Sequence, residues 1–77
     1  MKIRVAEMIV DELVRLIGDG RLSVVTDYHR DVNRYVSDIY DNKTDKLVGK
    51  VRHCKGDTRA TVAARVVEVI VQWECLK

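Results

Sequence analysis

The stretch "ATVAARVVEVIVQWECL", Ala60–Leu76, decides the fold. Twelve of its seventeen residues are apolar and five of those are valine, a composition that favours a β-strand on propensity alone. A strand sends alternate side chains to opposite faces, so its polar residues should share one parity. Glu68, Gln72 and Glu74 do, but Thr61 and Arg65 do not, and Val66 and Ile70 fall among the polar positions. A helix orders the same residues better. Thr61, Arg65, Glu68 and Gln72 are spaced four, three and four, one narrow line along a single side. Just upstream, "GDT" offers Asp57 or Thr58 as N-cap, and the alanines favour a helical start. Each valine costs a few tenths of a kcal/mol of helix propensity relative to alanine, so burial must hold this helix.

Three runs of strand length precede it: "RLSVVTDYH" (Arg21–His29), "NRYVSDIYD" (Asn33–Asp41) and "KLVGKVRHC" (Lys46–Cys54). The polar "DNKTD" between the last two has the length of a hairpin turn. Setting Ile39 opposite Leu47 places Tyr35, Ser37, Ile39, Leu47, Gly49 and Val51 on one face. The other face then carries Arg34, Val36, Asp38, Tyr40, Val48, Lys50 and Arg52. Nearest the N-terminus, Ala6, Val10, Leu13, Val14 and Ile17 recur at helical steps, opposite Arg4, Glu7, Asp11 and Arg15. Ile9 and Leu16 widen that stripe, Met8 falls outside it, and Gly18 or Gly20 supplies the stop. The predicted architecture is α+β, in the order α-β-β-β-α: a three-stranded antiparallel sheet with two helices on one face. One domain spans residues 1–77.

Composition sets bounds on function. A chain of 77 residues buries roughly 60% of the surface that its unfolded form exposes. The net charge of +2, from 14 basic and 12 acidic residues, is far smaller than that of a dedicated backbone-neutralising nucleic-acid binder. Glu7, Asp11, Glu12 and Arg15 interrupt the apolar run Val5–Ile17, which therefore cannot span a membrane. Without a signal peptide the expected location is the cytoplasm, and Cys54 and Cys75 are expected to be thiols, buried or with one at the surface.

The run "YVSDIYDNKTDKLVGKVRHCKGDTRATVAARVVEVIV" resembles the second half of a double-stranded-RNA-binding domain: strand, turn, glycine-bearing strand, alanine-containing helix. The resemblance in element order covers nearly the whole chain. It implies phosphate contacts at the start of the last helix, from Lys55 and Arg59, with Arg30 in the loop between the first two strands. The family's paired lysines are replaced here by "TRATVAAR", and its Gly-Pro loop by "DYHRDVN". The chain is also similar in type to small phage-encoded inhibitors, including some anti-CRISPR proteins, which implies a viral protein that docks on another protein or a ribonucleoprotein complex.

Four constellations compete. Lys50, Arg52, Lys55 and Arg59, with Arg30 and Arg34, form a basic cluster beside a helix N-terminus, but Asp38 and Asp57 lie among them. His29, His53, Cys54 and Cys75 make a poor metal site, because adjacent His53 and Cys54 on a strand point apart. Asp27, His29 and Asp31 lack a nucleophile, and a domain this small leaves little room for a pocket of several hundred Å3. No catalytic residue or cofactor is expected. The fourth is apolar excess: Val62, Val69, Trp73 and Leu76 extend the last helix's stripe beyond what a small sheet hides. The first helix packed alongside would cover it; otherwise it is a patch for a partner or a second copy, making a homodimer. The expectation is a non-enzymatic binding protein with two protein-contact faces, one of Val36, Tyr40, Val48, Lys50 and Arg52, the other of Val69, Trp73 and Leu76. Nucleic-acid binding through Arg30, Lys55 and Arg59 is the alternative.

Overall fold

A computed structural model describes residues 1–76. The elements run α1 (Ile3–Gly18), β1 (Leu22–His29), β2 (Arg34–Asp41), β3 (Leu47–Arg52) and α2 (Arg59–Cys75). The strands form one antiparallel meander in the order β1-β2-β3. Both helices lie on the same side of it, α1 over β1 and α2 over β3, and they pack against each other. The predicted α+β class and element order are those observed.

The valine-rich stretch is helical up to Cys75. Thr58 is the N-cap, its hydroxyl accepting from the Thr61 N–H at 3.2 Å while Thr61 Oγ1 accepts from the Thr58 N–H at 2.8 Å. This reciprocal box fixes the start of α2. Val62, Val66, Ile70 and Trp73 are buried in one cluster with Ala6, Val10 and Val14 of α1 and Leu22, Ile39 and Val51 of the sheet. Ile17 and Leu16, expected on or beside the inner stripe of α1, are 40% and 60% exposed. The helix ends there: Asp19 takes the left-handed conformation at φ 51° and Gly20 follows at φ 80°.

The hairpin register departs from expectation. Ile39 pairs with Gly49, not Leu47, and the ladder then slips so that Tyr40 pairs with Leu47. Val48 is the extra residue of a β-bulge. The bulge exchanges the expected faces of its two residues: Val48 packs against the core beneath the helices, and Leu47 stands 46% exposed. Gly49 sits beside Val48 because nothing larger fits. A Cβ there would lie 2.7 Å from Val69 Cγ1.

Candidate binding surfaces

The uncovered face of the sheet carries Val25, Asp27 and His29 of β1, Arg34, Val36, Asp38 and Tyr40 of β2, and Lys50 and Arg52 of β3, with Arg34 at its end next to Cys54. Of the five residues expected there, Val36, Tyr40, Lys50 and Arg52 share this side. Val48 does not, because of the bulge. Val36 is 1% exposed although no helix lies above it; its ladder partners are Asp27 and Arg52, whose side chains flank it. Apolar surface is instead offered by Val25, 51% exposed, and by Leu47 beside Tyr40. The Asp38 carboxylate is largely buried between Lys50 Nζ at 3.0 Å and His29 Nε2 at 3.8 Å. Arg52 is exposed, and its guanidinium makes no ion pair among the described residues.

The second expected face does not form. Trp73 is 9% exposed and belongs to the core. Its indole N–H donates to Asp41 Oδ2 at 3.3 Å, and the Arg21 guanidinium stacks 4.8 Å from the ring centroid while pairing with Glu74 at 2.6 Å. A buried indole needs a partner for its N–H, and the sheet end supplies one. Val69 is half-buried on Gly49; of the three, Leu76 alone is freely exposed. Of the apolar excess, Val62 and Trp73 are buried and Val69 is half-buried, while Leu76 stays exposed.

The third region lies where the β1–β2 turn meets the loop before α2. Arg30, Lys55 and Arg59 are all exposed at this end. Between this loop and the start of α1 opens a cleft of about 530 Å3, larger than the length of the chain leads one to expect. Ile3, Ala6, Tyr28 and Tyr35 supply apolar lining, and the two tyrosine rings meet edge to face with centroids 5.3 Å apart. The Tyr28 hydroxyl donates to Asn33 Oδ1. Arg34 and Lys55 bring positive charge to the wall, with Arg34 Nη1 3.3 Å from the Cys54 sulfur. Cys54 and Cys75 are both free and both exposed. The expectation of at least one buried thiol fails because Cys54 falls in the loop after β3 and Cys75 on the outer side of the last turn of α2.

His53 follows β3 and forms part of the same wall. It is 9% exposed, and its Nε2 lies 2.8 Å from Ser37 Oγ, which in turn lies 2.7 Å from Thr26 Oγ1. Its Nδ1 is buried without a hydrogen-bond partner. Nearby, Asp57 Oδ2 accepts from Arg65 Nη1 at 2.7 Å and from the Cys54 N–H at 2.8 Å. The Arg65 guanidinium holds the Asp57 carboxyl below its ordinary value. Reading the chain alone does not single out this polar chain of Thr26, Ser37 and His53. Its one cue is the parity that Ser37 shares with Ile39 and Val51, which turns a hydroxyl toward the core.

Burial pushes the His53 imidazole below the ordinary histidine value of 6.5, with Asp57 and Glu7 opposing and Arg65 reinforcing that shift. The folded state therefore binds fewer protons than the unfolded state, and stability rises with pH in this window. Stability is expected to fall as pH drops below about 6.5 and to level off once the folded-state value is passed. The loss from Asp57 comes separately, below its ordinary 3.8. Urea midpoints measured between about pH 7.5 and pH 5 check this, and a midpoint unchanged over that range contradicts it.

Comparison with protein-family models, with curated proteins and with solved structures finds no match to this chain. No helix among the described residues is long and apolar enough to cross a membrane.

Proposed function

We propose that this chain is a small non-enzymatic docking module, an inhibitor or adaptor of the phage-inhibitor type, that binds a folded protein or ribonucleoprotein surface through the uncovered face of its sheet. The observation that carries this reading is the composition of that face. Exposed Val25 and Leu47 and half-buried Tyr40 accompany Arg52, whose charge has no ion-pair partner among the described residues. Tyrosine and arginine are among the residue types that dominate interface energetics. The matching surface carries a carboxylate opposite Arg52 and apolar side chains against Val25 and Leu47. Lys50 is already balanced by Asp38, so it contributes to the rim and not to the centre.

A second reading is favoured by one observation, the exposure of Arg30, Lys55 and Arg59 at the end of the molecule where α2 starts. It is duplex RNA binding through phosphate contacts. The net charge of +2 weighs against it.

The two readings separate in one experiment. Tagged wild-type chain and its Tyr40→Ala, Arg52→Glu and Arg59→Glu variants are compared for retention of host proteins, and for binding of immobilised duplex RNA across a salt series. Docking through the sheet predicts a retained protein that Arg52→Glu weakens about thirtyfold, the equivalent of about 2 kcal/mol, while Arg59→Glu leaves it unchanged. A retained set indifferent to both Tyr40→Ala and Arg52→Glu overturns the reading. So does RNA retention that falls steeply with salt and is lost in Arg59→Glu.

A further inference from the structure

The cleft beside His53 has a chemistry of its own, distinct from that of the uncovered sheet face. Its volume of about 530 Å3 lies within the range of small-molecule sites, which combine an apolar lining with a few convergent polar groups. Here the apolar part is Ile3 and Ala6 of α1 together with the edge-to-face pair Tyr28 and Tyr35. The aromatic surfaces suit a planar body.

The charges in the lining are unequal. Arg34 and Lys55 make no ion pair among the described residues. The single acid in the lining is Asp57, whose carboxylate is already engaged by Arg65 and by the Cys54 N–H. An incoming anion would therefore meet two cations without ion-pair partners, Arg34 giving one N–H to the Cys54 sulfur, and one carboxylate whose charge is already balanced. His53 stands in the same wall, with a buried Nδ1 that lacks a hydrogen-bond partner. Buried polar groups left unpaired are uncommon in folded domains, but this nitrogen is closed off from the cleft and plays no part in what the cleft holds.

We propose that this cleft binds a small molecule with a planar apolar body and a single carboxylate, the ring lying against Tyr28 and Tyr35 and the carboxylate held by Arg34 and Lys55. Guanidinium and ammonium donors make charge-assisted bonds to carboxylate that a neutral head group cannot replace. The proposal does not depend on what the sheet face docks.

The test uses naphthalene-2-carboxylate as probe and the neutral naphthalene-2-methanol as its control. Both are titrated into the isotopically labelled full chain and followed by NMR. The carboxylate is expected to shift the Ala6 methyl, the Tyr28 and Tyr35 ring signals and the Cys54 and Lys55 amides, and to bind about tenfold more tightly than the alcohol. The double variant R34Q/K55Q, altered only at exposed positions, should abolish that preference while leaving the emission of buried Trp73 unchanged. Tyr35→Ala should weaken both probes together. Absence of cleft shifts at millimolar probe overturns the proposal. Equal affinity for acid and alcohol overturns it too, as does a preference that survives R34Q/K55Q or shifts that map to Val25 and Tyr40 instead.

Discussion

Val66→Asp is expected to leave the chain unfolded at neutral pH and 25 °C. Val66 is 0% exposed, in the middle of α2, within the cluster that joins both helices to the sheet. An aspartate there loses the packing of a buried valine and places a carboxylate within the hydrophobic cluster that joins the two helices and the sheet. The effective penalty for an unpaired buried charge is several kcal/mol, against a total stability of about 5–15 kcal/mol for ordinary domains, with small ones toward the lower end. Val71→Asp makes the comparison, since Val71 lies on the same helix and is 52% exposed. Its cost should stay within about 1 kcal/mol. Far-UV circular dichroism and urea titration of the two variants check the pair. Comparable destabilisation in both would mean that α2 does not present the line of Val62, Val66 and Ile70 to the core.

Gly49→Ala is expected to destabilise the chain by overpacking, and it tests the bulge. The alanine Cβ would meet Val69 Cγ1 at 2.7 Å and Cγ2 at 3.2 Å. Valine in a helix has one strongly preferred χ1 rotamer, so Val69 cannot swing aside cheaply. Overpacking of this kind costs about 1–3 kcal/mol, partly offset by about 0.4–1 kcal/mol from the stiffer unfolded chain. A net loss of about 1–2 kcal/mol in urea-derived stability is expected. Trimming the neighbour should relieve it: in G49A/V69A the two costs should fail to add, by about 1 kcal/mol, because the residues share one contact. A neutral Gly49→Ala, or strict additivity in the double variant, would show that α2 does not rest on β3 at this point.

Much of this architecture is legible in the order of the residues. The polar line through Thr61, Arg65, Glu68 and Gln72 identifies α2 despite its valines, and "GDT" narrows its beginning to Asp57 or Thr58. The stripe from Ala6 to Val14 does the same for α1. The candidate surfaces are less accessible. Strict alternation through "KLVGKVR" puts Val48 on the outer face, and a bulge breaks that alternation. Gly49 is the available signal, since glycine within a strand accompanies bulges and close approaches. The width of the apolar stripe on α2 points to a surface position for Trp73, because a sheet of three strands covers little. Its burial depends instead on Asp41, which meets the indole from the end of β2, and on Arg21, which stacks on the ring from the turn before β1.

Which segments coil, which extend, the order in which they follow and the start of α2 to within one residue are all written locally, because periodicity and capping act between residues a few positions apart. The orientation of Val48 and Leu47, the depth at which Trp73 sits and the cleft between Ala6, Tyr35 and His53 arise only once the whole chain has packed. Each of these depends on groups from distant parts of the chain competing for the same space, and local patterns carry no record of that competition.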